Sequence, residues 1–122
     1  MKIKTKFKFS RKTSDYWVKD LGRNLSFLKE QERWMEDKLR VRGYLFLNEV
    51  LEALDLEPLS YGYRYGWVWN DIVDFGIGDE INTFVWHKIN ARKNGKAINL
   101  EFKDVRKIEH IWLDAYQLKK FG

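Results

Sequence analysis

Hydrophobic and polar residues alternate without a break from Met1 to Phe9. Met1, Ile3, Thr5, Phe7 and Phe9 fall on one side, and Lys2, Lys4, Lys6 and Lys8 on the other. A period of two is that of a strand with one buried face, so residues 1–9 predict a basic N-terminal strand. A second alternating stretch runs from Tyr61 to Trp69. Its odd positions are Tyr61, Tyr63, Tyr65, Trp67 and Trp69, and its even positions are Gly62, Arg64, Gly66 and Val68. One face is aromatic and the other nearly bare, so the bare face admits a close neighbour. Asn70-Asp71 reads as a turn and Ile72 to Ile77 as a returning strand, a hairpin with Gly76 and Gly78 at its exit. Ala97 to Lys103 reads as a further strand, with Ile98, Leu100 and Phe102 inward.

Helical spacing occupies the intervals. Residues 13–23 read as a loop with one helical turn. Asn24 or Ser26 then caps a helix reaching about Val41, with a stripe of Leu25, Leu28, Met35 and Leu39 that Glu32 interrupts. Phe27, Trp34 and Val41 lie beside the stripe, Glu36 and Arg40 form an i,i+4 pair, and Gly43 ends the helix. After the apolar run Tyr44 to Leu47, Asn48 caps a second helix over about residues 49–55, with Leu47, Val50, Leu51 and Leu54 on its buried side. Residues 80–93 fit helix or strand. Their length and the Asn94-Gly95 stop favour a helix. The spacing Ile108, Ile111, Trp112, Ala115, Leu118 predicts a C-terminal helix from about Val105. These elements predict one α+β domain over residues 1–122, with a small, mainly antiparallel sheet of about four strands covered by three to four helices.

Composition narrows the picture. In 122 residues, 44% are hydrophobic and 16% aromatic, enough for a core without staples, and cysteine is absent. No disulfide framework is expected, and a reducing cytoplasm fits. No apolar run approaches the ~20 residues that span a bilayer, and the basic N-terminus is not followed by the apolar stretch of a signal peptide. The expectation is therefore a protein without a membrane partner, in the cytoplasm of its host. A net charge of +5 favours an anionic partner, or serves solubility alone.

Three groups of residues carry candidate chemistry. The first is the row Lys2, Lys4, Lys6 and Lys8, continued by Arg11 and Lys12. Same-face lysines of a strand lie about 6.6–6.8 Å apart, so the row either tracks a phosphate backbone or protects an edge strand from pairing. The second is Tyr61, Tyr63 and Arg64, which suit stacking on single-stranded nucleic acid or a protein–protein contact, while Tyr65, Trp67 and Trp69 read as core. The third is Asp74 with Glu101 and Lys103. Asp followed later by Glu-x-Lys resembles the signature of a metal-dependent nuclease superfamily, which implies two carboxylates on Mg²⁺ and a lysine orienting water. Glu36-Asp37-Lys38 repeats the triplet by composition alone, and Asp79 competes as first acid. Asp74-Phe75-Gly76 spells the kinase metal triplet without the Gly-rich and catalytic loops that give it meaning. His87 and His110 lack the companions of a zinc site and read as surface or packing residues.

A resemblance adds an expected origin. Leu47-Asn48-x-Val50 with Leu54-x-Leu56, Gly66-Trp67-Val68-Trp69, Val73-Asp74-Phe75-Gly76-Ile77, Asn94-Gly95 and Asn99-Leu100-Glu101-Phe102 follow in one order. The series, over about residues 44–104, resembles an uncharacterised family of small proteins from phages and prophages of Gram-positive bacteria. It implies a mobile-element origin and supplies no catalytic residues. The expected function is a non-enzymatic binding protein, without cofactor, whose partner is a host protein, such as a defence complex it inhibits, or nucleic acid. The alternative is a Mg²⁺-dependent nuclease using Asp74, Glu101 and Lys103.

Overall fold

The computed structural model describes residues 3–77 and 97–108. Lys2, Gly78, Asp79, the 80–93 segment, His87, His110 and the expected C-terminal helix beyond Ile108 therefore lie outside the described residues. The elements run β1 (Lys6–Ser10), α1 (Leu21–Arg42), β2 (Tyr44–Phe46), α2 (Leu47–Ala53), β3 (Tyr65–Val68), β4 (Ala97–Glu101) and β5 (Arg106–Lys107). The fold is α+β, as the periodicity predicts. Among the described residues its strands form two small antiparallel sheets rather than one: β1 with β4, and β2–β3–β5. Two helices occur among the described residues. Val105 to Ile108 does not open a helix, because Arg106–Lys107 pairs with Tyr65 and Gly66 and the Ile108 N–H donates to the Arg64 carbonyl (2.8 Å).

The alternation at the N-terminus holds where it is described. Phe7 and Phe9 are buried and Lys4, Lys6 and Lys8 exposed. β4 mirrors it, with Ile98 and Leu100 inward opposite Phe9 and Phe7. The α1 stripe is also as read: Leu25, Leu28, Met35 and Leu39 are buried. Trp34 (62% exposed) and Val41 (77%) lie on the water side. The helix starts earlier than its asparagine suggests. Asp20 is the N-cap, accepting the Gly22 and Arg23 N–H groups (2.9 and 3.3 Å). Asn24 is buried instead, and its amide clips both backbone groups of Val18. At the other end Gly43 takes φ 86° and donates to the Leu39 carbonyl, a left-handed cap that glycine reaches without steric cost.

Asn48 departs from expectation in the same way. Phe46 is the N-cap of α2, and Glu49 reaches back to accept its N–H (2.8 Å). The Asn48 amide bonds the N–H and carbonyl of Leu59, both at 2.9 Å. A side chain on Gly62 would occupy the place of that amide. A side chain on Gly66 would run into the Leu45 carbonyl across the β2–β3 pair. The bare positions thus serve close approach.

The expected hairpin after Trp69 does not form. β3 pairs with β2 and β5, and residues 72–75 run beside α1 outside both sheets. Their alternation is real, since Val73, Phe75 and Ile77 are buried and Ile72 is exposed. Their hydrogen bonds explain the different neighbour. The Val73 N–H donates to Glu36 and the Phe75 N–H to Glu32, both at 2.8 Å. The Phe75 and Asp74 carbonyls accept the Glu101 and Lys103 N–H groups (3.0 and 3.2 Å). Arg40 donates to the Trp69 and Asp71 carbonyls and to Glu36. The acid that interrupts the α1 stripe is therefore a backbone partner.

Phe102 joins the two sheets inside one core, its ring 5.2 Å from Phe7, 5.3 Å from Phe75 and 6.1 Å from Trp67. Trp67 is fully buried and its indole N–H donates to the Lys103 carbonyl (2.7 Å), so the largest core side chain also satisfies its polar atom. Among the described residues no helix is long and apolar enough to cross a membrane.

Candidate functional site

The outer face of the β1–β4 sheet gathers the lysine row. Parity along β1 sends Lys4, Lys6 and Lys8 to water while Phe7 and Phe9 enter the core. Across the strand pair, Lys6 stands opposite Glu101 and Lys8 opposite Asn99. Residues 11–13 turn tightly because the Thr13 hydroxyl donates to the Lys8 carbonyl (2.7 Å) and accepts the Ser10 N–H (2.9 Å). That turn carries the exposed Arg11 and Lys12 just beyond the end of the row. A concavity of about 700 Å³ over this face is lined by Lys4, Lys6, Lys8, Thr13, Asn99 and Glu101, among others. A second, of about 480 Å³, lies between β1 and residues 56–60 and is bordered by Lys4, Lys8 and Lys12.

Several cations elsewhere have carboxylate partners. On and beside α1, Arg23 pairs with Asp20, Lys38 and Arg42 with Glu49, and Arg40 with Glu36. Arg106 pairs with Asp71. Lys4, Lys6, Lys8, Arg11 and Lys12 make no ion pair with a carboxylate among the described residues, and Lys4 lies 4.9 Å from the Phe7 ring centroid. Five positive charges within nine residues of chain create a local field that a counter-anion relieves.

Tyr61, Tyr63 and Arg64 do not share one surface of a strand, because residues 61–63 form a turn before β3. Tyr61 is half-buried against Tyr65, and its hydroxyl accepts the Lys4 N–H (2.9 Å), so it touches the start of the lysine row. Tyr63 points elsewhere. It is 52% exposed, rests on Phe46 and donates to Glu52 (2.7 Å), a bond that holds its phenol above the usual pKa. The Arg64 side chain is exposed. Of the expected core aromatics, Trp67 is fully buried and Tyr65 and Trp69 are half-buried.

Asp74, Glu101 and Lys103 come near one another through backbone pairing. The Asp74 carboxylate closes a local turn by accepting the Gly76 N–H (2.7 Å), and Gly76 takes φ 74°. Glu101 and Lys103, both half-exposed, pair loosely at 3.8 Å. Each side chain is thus engaged within its own neighbourhood. No group of three His, Cys, Asp or Glu placed to hold a metal occurs among the described residues.

Sequence reasoning missed three contributors. Thr13, which shapes the end of the row, sits in a polar stretch where any residue could turn the chain. The segment 56–60, the far wall of the smaller concavity, is placed by Asn48, a residue the sequence offers as a helix cap. Glu49 is the third. Burial would push its carboxyl up, but the Arg42 guanidinium, the Phe46 N–H and the Lys38 ammonium hold it down at about 2. That cluster fixes the α1–β2–α2 corner.

The described residues define a small α+β domain with two antiparallel sheets, one of which presents lysines that have no carboxylate partner among those residues. The chain belongs to a family of unknown function, DUF6353, whose profile matches residues 2–111. No curated protein and no solved structure matches it.

Proposed function

We propose that this protein is a non-enzymatic binding protein that holds an anionic partner on the outer face of β1. The observation that supports this most is the density of cations without a carboxylate partner: Lys4, Lys6, Lys8, Arg11 and Lys12 lie within nine residues of chain, and none makes an ion pair among the described residues. The repeat of about 6.6–6.8 Å along a strand face matches alternate acidic side chains of an extended segment, and suits successive phosphates of a single strand. The resemblance to phage and prophage proteins of Gram-positive bacteria supports a mobile-element origin. On that footing the partner is a component of the bacterial host, met in its cytoplasm, and binding restrains it, as an inhibitor of a defence complex would. Asp74, Glu101 and Lys103 are engaged with local partners, which favours binding over metal-dependent cleavage.

The test is salt dependence. Wild type and a Lys4→Gln, Lys6→Gln, Lys8→Gln variant are titrated against a fluorescent dT oligonucleotide and an acidic peptide over a range of salt. Each lost phosphate contact flattens the log–log slope for the oligonucleotide by about 0.7. Equal slopes for the two proteins, or no binding of either probe at low salt, would remove the lysine face as the site.

A further inference from the structure

We propose that the outward edge of β1 is a strand-addition site for an extended acidic peptide. The proposal rests on the reading that this face binds an anion, and it names the partner's form.

Hydrogen-bond parity locates the site. The Phe102 N–H donates to the Thr5 carbonyl (2.9 Å), and the register continues through Phe7 opposite Leu100 and Phe9 opposite Ile98. Opposed pairs of an antiparallel ladder alternate between bonded and non-bonded, so Thr5, Phe7 and Phe9 bond to the β4 side. The backbone groups of Lys4, Lys6 and Lys8 point the other way. β4 follows the same rule, since the Glu101 N–H turns from β1 to the Phe75 carbonyl.

Among the described residues, the outward edge is closed at both ends and open in the middle. At one end the Lys4 N–H is held by the Tyr61 hydroxyl, and at the other the Lys8 carbonyl is held by Thr13. Between them the Lys4 carbonyl, both Lys6 groups and the Lys8 N–H have no partner among the described residues. The concavity of about 480 Å³ lies beside this stretch, with Leu56, Pro58 and Leu59 on its far wall. An edge without partners among the described residues, beside a groove, is the geometry of recognition by strand addition.

Charge selects the occupant. In an antiparallel addition, the residues opposite Lys4, Lys6 and Lys8 share their face of the sheet. Acidic residues there make favourable cross-strand pairs. A second copy of β1 would set lysine against lysine, the arrangement that keeps edges from self-association. Among the described residues Glu57 is the one acid lining the groove, against Lys4, Lys8 and Lys12.

The arrangement predicts which backbone amides of the ligand matter. A residue opposite Lys6 exchanges both its N–H and carbonyl with Lys6, so a peptide alternating Glu and Thr bonds through its glutamate amides. The experiment uses the whole protein and an eight-residue Glu-Thr repeat, read by fluorescence anisotropy at low salt. Two further peptides carry N-methyl groups on either the glutamates or the threonines, leaving charge unchanged. The expected result is that methylating the glutamates weakens binding about tenfold or more, the loss of the two backbone bonds to the Lys4 and Lys6 carbonyls, while methylating the threonines leaves it nearly intact. With the parent peptide bound, the Lys6 and Lys8 amides gain protection from hydrogen exchange. Equal binding of the two methylated peptides overturns strand addition and leaves a charge-only face. Binding of a dT oligonucleotide without the peptide also overturns it, while sparing the anion reading. If neither probe binds, both readings fall.

Discussion

Glu49→Gln probes the corner where α1, β2 and α2 meet. The Glu49 carboxylate receives both Arg42 terminal nitrogens (2.8 and 2.6 Å), the Lys38 ammonium (2.9 Å) and the Phe46 N–H (2.8 Å). Its side chain is 15% exposed. Gln keeps one acceptor oxygen and removes the charge, leaving Arg42 half-buried with Nε already lacking a partner among the described residues. Burial works against the carboxylate, but Arg42, Phe46 and Lys38 outweigh it and lower its pKa from 4.5 to about 2. At about 1.4 kcal/mol per pH unit this is worth at most ~3 kcal/mol, and residual contact with water reduces it to ~2. The sign follows from the direction. A folded-state pKa below the unfolded one contributes fully above pH ~4.5, and the contribution fades as the pH falls towards 2. Urea melts of wild type and variant should therefore differ by ~2 kcal/mol at pH 7, with roughly 40% of that gap gone by about pH 3.5. Other carboxylates titrate in both proteins and cancel in the difference. A gap below ~0.5 kcal/mol at pH 7, the scale of an exposed pair, or one that does not narrow in acid, would refute the argument.

Other changes test the core and the strap. Trp67→Ala should destabilise by ~3–5 kcal/mol and Leu51→Ala by ~2–5 kcal/mol, whereas Trp34→Ala, at 62% exposure, should stay within ~0.5 kcal/mol; chemical denaturation reads all three. Glu32→Gln with Glu36→Gln exchanges two charged acceptors of the Val73 and Phe75 N–H groups for neutral ones. Native-state hydrogen exchange should show those two amides losing about tenfold or more of their protection before the β1–β4 amides change. Uniform loss across the chain would mean that the carboxylates only support global stability.

Much of the fold is legible because large side chains alternate. β1, β4 and the α1 stripe follow from Phe7, Phe9, Ile98, Leu100, Leu28 and Leu39, whose burial leaves one orientation of each element. The asparagines misled for a physical reason. Asn24 and Asn48 are good helix caps, yet an amide is both donor and acceptor and can equally clip a distant residue, as each does with Val18 and Leu59. The hairpin misled because alternation reports which side chains are buried and says nothing of which neighbour takes the backbone bonds. At the candidate site, parity along residues 4–8 reveals the lysine row. The openness of its edge depends on where residues 56–61 pass, which no local pattern encodes.

Residues 69–75 have a consequence for how this chain tolerates change. Their path is held by Glu32, Glu36 and Arg40 gripping main-chain atoms. A grip on the main chain is blind to the side chains it passes. The instructions for this route are thus stored some thirty to forty positions upstream, on the helix. Outward positions such as Ile72 are free to drift in a library of variants, while the three helix positions should reject nearly every substitute. A stretch that looks like variable linker would then keep its course, and a polar helix face that looks like mere solubility would prove the stricter of the two.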